Sequence, residues 1–218
     1  MTTEMTTDML LALAAYAFAA TWTPGPNNMM LAASGATFGW RRTVPHAMGV
    51  ALGFPLMVFA VSLGLGGFFR AAPAFQVALG WVGCAVMLWL AWRIATAEPP
   101  AEEGGGGHSG GRGQPLSFVG ASAFQWVNPK AWIMCIGVSA SFAGRSDPVG
   151  GALVIAGVFV LAGLSSSQAW ALFGTAMGRL LGRGWRLRAF NIAMAALLAV
   201  SALWLVLVPP TLPPTPPA

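Results

Sequence analysis

Long apolar runs alternate with short clusters of arginine, proline and glycine along most of the chain. The first run, Met9 to Trp40, is broken by Thr23-Pro24-Gly25-Pro26-Asn27-Asn28. As one helix its 32 residues would reach about 48 Å, against about 30 Å of bilayer hydrocarbon. Pro24 and Pro26 lack backbone N–H groups and disfavour helix in the residue before each, and Gly25 adds backbone freedom, so the helix is expected to break here. Unwound backbone at membrane depth must be satisfied by protein or by a watery cavity. The motif is therefore expected to line a site rather than face lipid.

Further along, Arg41 and Arg42 mark a loop, and Val44 to Phe69 forms a second apolar span. Arg70-Ala71-Ala72-Pro73 turns into a third, Ala74 to Trp92, whose 19 residues suffice to cross. Residues 97–114 read as a flexible Gly-rich loop containing Gly104 to Gly107. Pro115 to Val127 is modestly apolar and is stopped by Asn128-Pro129-Lys130, after which Ala131 to Ala143 is apolar again. Val149 to Phe173 and Ala189 to Val208 supply two more spans, separated by Arg179, Arg183, Arg186 and Arg188. The proline-rich tail, residues 209–218, is expected to be disordered.

Each half holds an interrupted segment followed by two clean ones, and Pro24 precedes Pro129 by 105 residues in a chain of 218. This reads as an internal duplication: residues 1–96 as one three-helix repeat and 115–208 as a second. Three crossings per repeat, an odd number, bring the second copy in from the opposite side. The expected fold is thus an all-α integral membrane protein with six transmembrane helices in two inverted repeats, the first helix of each broken by proline. Paired interruptions at matching positions are the sequence pointer to a transporter's midplane site. Loops after the first, third and fifth spans hold eight arginines, with Arg93 and Arg112 joining those named above, against Arg70 and Arg145 on the other side. The positive-inside rule then places those loops in the cytoplasm and both termini outside.

Composition agrees with a bilayer setting. Hydrophobic residues make up 56% of the chain and charged ones 8%, with a mean hydropathy of +0.70, where a soluble domain would carry about 25% charged residues. The net charge of +5 comes from dispersed loop arginines, which suits membrane orientation and not nucleic-acid binding. Cys84 and Cys135 lie singly in apolar segments and read as packing residues. Met1 to Asp8 carries two acids and no basic residue, so no cleavable leader is expected.

Lys130, the sole lysine, stands beside a helix break, and an ionisable group at membrane depth marks a candidate functional position. Its amine can meet a carboxylate, helped by the N-terminus of the half-helix starting near Pro129. Anchoring at the interface is the competing role. Asn27, Asn28 and Asn128 either contact a zwitterion, whose ammonium would meet free carbonyls around Thr23 to Pro26, or cap the half-helices. Gln125 joins the candidate substrate-binding residues, with interhelical hydrogen bonding the alternative for it and the role that suits Gln168. Asp8 and His46 are the coupling candidates, with packing or capping the alternative for His46. Gly49 and Gly53 share a helix face at a spacing that permits close packing. His108 sits in the glycine loop with no role assigned. No span contains Asp or Glu, and no metal cluster, phosphate loop or nucleophile elbow is present, so neither an enzyme, a cofactor nor a bound metal is expected.

With Thr-Pro-Gly-Pro-Asn-Asn at 23–28, Gly-x-x-x-Gly at 49–53 and Phe-Gln-Trp-Val-Asn-Pro-Lys-Ala-Trp at 124–132, the chain resembles the LysE/RhtB superfamily of amino-acid exporters over nearly its whole length. The Asn27-Asn28 doublet and the Phe124 to Trp132 run look like the branch that includes cysteine and O-acetylserine exporters. The resemblance implies efflux of amino acids or their derivatives across the bacterial inner membrane, exchanged against protons, with site residues on Pro24, Gly25, Pro26, Asn27, Asn128, Pro129 and Lys130. It also allows a homodimer. The glycine loop and proline tail depart from the family pattern. An ion or metal transporter, or a channel, is the alternative function, and a scaffold in which the breaks are mere kinks is a third.

Overall fold

A computed structural model describes residues 5–98, 114–142 and 147–207. Nearly all of the expected glycine loop, with His108 and Arg112, lies outside the described residues, as do Arg145 and the proline-rich tail. Among the described residues the regular structure is entirely helical. Helix α1 (Thr7–Trp22) opens on Thr6, whose hydroxyl accepts from Met9 N at 3.3 Å, with Asp8 in the first turn. The helix stops at Trp22 and resumes as α2 (Pro26–Phe38), with Pro26 at the first helical position. Pro24 and Pro26 have no N–H to offer the carbonyls of Ala20 and Trp22, four residues earlier.

Gly39, at a left-handed φ of 78°, is the one residue between α2 and α3 (Trp40–Ala60). Arg41 and Arg42 therefore sit in the first turn of α3, not in the loop expected from sequence, because a glycine at positive φ completes the turn in a single residue. Helix α3 passes through a π turn, Val61–Leu65, into α4 (Gly66–Ala71), with Gly64 at φ 128°. Pro73 opens α5 (Pro73–Ala95). After the undescribed stretch, Ser117 caps α6 (Phe118–Val127) by accepting from Gly120 N at 3.0 Å. Asn128 alone separates α6 from α7 (Pro129–Phe142). Asp147 caps α8 (Pro148–Leu181), and α9 (Trp185–Leu207) follows. Helix α8 runs eight residues beyond the expected Phe173, so Arg179 lies in its last turn, where a cation suits the helix dipole. Among the described residues, four helical stretches are long and apolar enough to cross a membrane: Trp40–Phe69, Pro73–Ala95, Pro148–Leu181 and Trp185–Trp204.

Side-chain contacts fix how these rods run. Tyr16 meets Phe159 with ring centroids 6.3 Å apart, and Thr175 Oγ1 donates to Gly35 O at 3.3 Å, so α1 and α2 follow α8 in the same direction. Phe54 on Phe159, at 5.3 Å, and Gln168 beside Met48 lay α3 antiparallel to α8. Gly49 abuts the Phe118 backbone and Gly53, four residues on, abuts Ser122, which sets α6 alongside α3 in the same direction, and Ser122 Oγ donates to Gly49 O at 3.1 Å. Glycine makes the closest approaches possible: a Cβ on Gly174 would strike the backbone of Ala32, and one on Gly178 that of Ala36.

The interior holds two large clusters and a small third one of Leu31, Ala47, Val50 and Ala121. One large cluster joins α1, α3, α7 and α8 through Leu13, Met57, Cys135 and Phe159; the other joins α2, α5 and α9 through Met30, Met87 and Leu198. Large apolar side chains such as Leu56, Trp81, Leu161 and Trp204 point outward, an arrangement suited to lipid. Arg41, Arg42, Arg93, Arg179, Arg186 and Arg188 gather at one end of the bundle, where Asn191 Nδ2 donates to Thr37 Oγ1 at 2.8 Å and ties α9 to α2.

Candidate functional site

The two helix breaks lie against each other. Lys130 Nζ donates to Thr23 O at 3.4 Å, across 107 residues of sequence. At the second residue of α2, Asn27 Nδ2 donates to Gln125 Oε1 at 2.9 Å while Gln125 Nε2 donates back to Asn27 Oδ1 at 3.2 Å. Gln125 is fully buried, so this reciprocal amide pair satisfies groups that would be costly to leave bare. Gln125 thus bridges α6 to α2, and Gln168 on α8 accepts from Trp40 Nε1 of α3 at 2.8 Å.

A cavity of about 50 Å³ opens between the breaks, lined among others by Ala20, Gly25, Asn27, Asn128, Lys130 and Ser166. A single water needs about 10–15 Å³, so the cavity has room for a few waters. Pro55 of α3 also lines it, and as a proline it leaves the Ala51 carbonyl without an intrahelical donor. Gly25 is extended, at φ −166°, and a Cβ there would lie 2.7 Å from Lys130 Nζ. The missing side chain is what lets the lysine reach across.

The asparagines divide in their work. Asn28 Nδ2 donates to Thr21 O at 2.9 Å and to Thr23 O at 3.0 Å, closing the carbonyl end of α1. Asn128 Oδ1 accepts from Lys130 N at 3.1 Å and so caps α7 itself. Both do the work of caps, and both also line the cavity. At the start of α2 the situation is different: Gly25 is the N-cap and supplies no side-chain acceptor, so the first-turn amides beside Asn27 and Asn28 are uncapped at the cavity wall. A helix N-terminus with free N–H groups favours an anion. The half-helix end offered to the cavity is thus that of α2, where sequence reasoning had pointed to the end near Pro129.

Ser166 was not singled out from sequence. Its hydroxyl donates to Thr21 O at 2.7 Å, and it lines the cavity with Ser167. The run Ser165-Ser166-Ser167 inside an apolar span was the available signal. Of the remaining candidates, Thr23 and Pro24 are exposed at the break, Pro26 is buried in the cavity wall, and Pro129 packs toward Gly83. Gly49 and Gly53 abut α6. Asp8 is exposed in the first turn of α1, away from the cavity, and His46 is buried in a separate one.

The sequence model of the LysE type translocator family matches residues 18–208, taking in both breaks and all four long apolar spans. The chain belongs to that family. Curated relatives reach 31% identity over 202 residues, covering 91% of this chain and 97% of theirs. They are the proteins named cysteine/O-acetylserine efflux protein from Escherichia coli O9:H4 strain HS, E. coli K12 and Shigella sonnei Ss046. No solved structure matches the chain. As a member of the LysE type translocator family with apolar spans of crossing length, it is a protein of the bacterial inner membrane.

Proposed function

We infer that this LysE type translocator exports a small zwitterionic amino acid or amino-acid derivative, of the kind named for its relatives, through the cavity between the two breaks. The observation that carries the reading is the Lys130 ammonium resting on the Thr23 carbonyl beside the uncapped start of α2. An incoming α-ammonium replaces Lys130 at Thr23 O, with the carbonyl of Ala20 freed by Pro24 as a second acceptor. The displaced Lys130 then meets the α-carboxylate, which also accepts from the α2 amides at Asn27 and Asn28. Gln125 holds Asn27 in place, and Ser166 holds Thr21.

Several features support an inverted repeat of six crossings, residues 1–96 and 115–208. The segment α1 and α2 runs with α8, α6 runs with α3, and α3 opposes α8. The arginine-rich end is cytoplasmic on the positive-inside rule. A cavity of about 50 Å³ is small for an amino acid, and alternating access, with one repeat rocking against the other, would widen it to each side in turn. Export driven by inward proton movement fits His46, which is buried and without a hydrogen-bond partner on either ring nitrogen. Among the described residues no three His, Cys, Asp or Glu side chains cluster, so the breaks suit a zwitterion better than a metal ion.

Counterflow into proteoliposomes tests this. Vesicles preloaded with unlabelled O-acetyl-L-serine should accumulate the labelled compound, and preloading with a divalent metal salt should not drive that uptake. Metal-driven exchange without amino-acid exchange would reverse the assignment.

A further inference from the structure

A second cavity of about 50 Å³ lies at the arginine-rich end, between α2, α3, the end of α5 and residues 114–116. Ser34, Thr37, His46, Arg93 and, at the exposed rim, Gln114 supply its polar wall. His46 is 2% exposed and neither ring nitrogen has a partner, an arrangement that calls for an occupant. Thr37 Oγ1 already accepts from Asn191 Nδ2 at 2.8 Å, which leaves its own hydrogen to donate elsewhere. Thr43 donates to Gly39 O at 3.0 Å, so in its 3.1 Å contact with Ser34 it is Ser34 that donates, and the Ser34 oxygen keeps free lone pairs. Arg93 spends one nitrogen on Gln114 O at 3.2 Å and lies over Trp89. No Asp or Glu is among the described lining residues. The wall is thus rich in donors and carries the Arg93 cation, with acceptors limited to the Ser34 hydroxyl, one His46 ring nitrogen and the Gln114 amide at the rim.

This cavity is stacked on the one at the breaks. His46 and Val50 line one each and stand a single turn apart on α3; Asn27 and Met30 do the same on α2. One turn is about 5.4 Å, and Met30 and Val50 stand in the layer between them, where Val50 packs with Leu31, Ala47 and Ala121.

We propose that the cavity around His46 is a second amino-acid site on the same route. It holds the substrate's carboxylate on Arg93, Thr37 and a His46 N–H, loading it from the arginine-rich end before it passes Met30 and Val50. The inference rests on the export reading, with which it shares its substrate class. Free inorganic anions share the carboxylate's chemistry, and the test separates them.

Equilibrium binding of labelled O-acetyl-L-serine to the full chain in lipid nanodiscs decides the matter. The native chain should bind about two molecules, Lys130→Ala about one, Arg93→Ala about one and the double variant none, while Arg93→Lys keeps two. An excess of chloride or inorganic phosphate should leave the Arg93-dependent molecule in place. Binding of a single molecule, lost in Lys130→Ala and kept in Arg93→Ala, overturns the second site and leaves the export reading standing. Loss only in Arg93→Ala keeps the second site and defeats the one at the breaks, and no binding at all defeats both. Displacement by chloride or phosphate as effective as by the amino acid makes the cavity a general anion site and also overturns the proposal. Unchanged melting temperatures across the variants show that each remains folded.

Discussion

Asn27 and Gln125, 98 positions apart, exchange two hydrogen bonds at 2.9 and 3.2 Å and so clasp the second half-helix of one break to the first half-helix of the other. Gln125 Nε2 also donates to Ala121 O at 2.8 Å, which fixes its orientation on α6.

Removing either side of this clasp strands the other. Asn27→Ala and Gln125→Ala should each lower stability by about 1–3 kcal/mol, the cost of an unpaired buried amide. The double variant should lose less than the sum of the two, by about 0.5–3 kcal/mol. Thermal melts in detergent of the four proteins measure this directly. Strict additivity would mean that the two amides do not depend on each other.

Gly25 offers a test that spares the fold. Its extended φ of −166° suits any residue, and the added Cβ of Gly25→Ala would meet only the mobile end of Lys130, at 2.7 Å from Nζ. The melting temperature should change little, while Lys130 is pushed from Thr23 O and efflux falls by about an order of magnitude, the equivalent of about 1.4 kcal/mol. Normal efflux would show that the contact between Lys130 and Thr23 is incidental.

Much of this arrangement was legible in the chain. The breaks were, because proline and glycine act on the backbone locally, and so were the long spans, because length and apolarity suffice. Two boundaries moved: Gly39 turns the chain by itself, putting Arg41 and Arg42 into α3, and α8 absorbs Arg179. Neither needs a local signal beyond one glycine or a long aliphatic stem. The partner of Asn27, the serine on Thr21 and the uncapped start of α2 were not legible, since each depends on which helix lies opposite. Pairings of that kind come from tertiary packing and leave no periodic mark in sequence.

Close packing of α2 on α8 predicts a contrast between two glycines of the same helix. Gly174→Ala places a methyl against the Ala32 backbone, which cannot yield, and should cost about 1–3 kcal/mol. Gly157→Ala meets nothing within 4 Å and should stabilise α8 by about 0.5–1 kcal/mol. Melting curves of the two variants should therefore shift in opposite directions. A shift of the same sign for both would refute the packing described here.

The central claim is that the two breaks form one site in which Lys130 and Asn27 handle the substrate. It is tested most directly by the initial rate of O-acetyl-L-serine efflux from proteoliposomes holding equal amounts of native, Lys130→Ala and Asn27→Ala protein. Loss of a charged hydrogen bond is worth about 1.5–3 kcal/mol, so Lys130→Ala should slow efflux about tenfold to a hundredfold, with Asn27→Ala also slowed. Native rates in both variants would contradict the account.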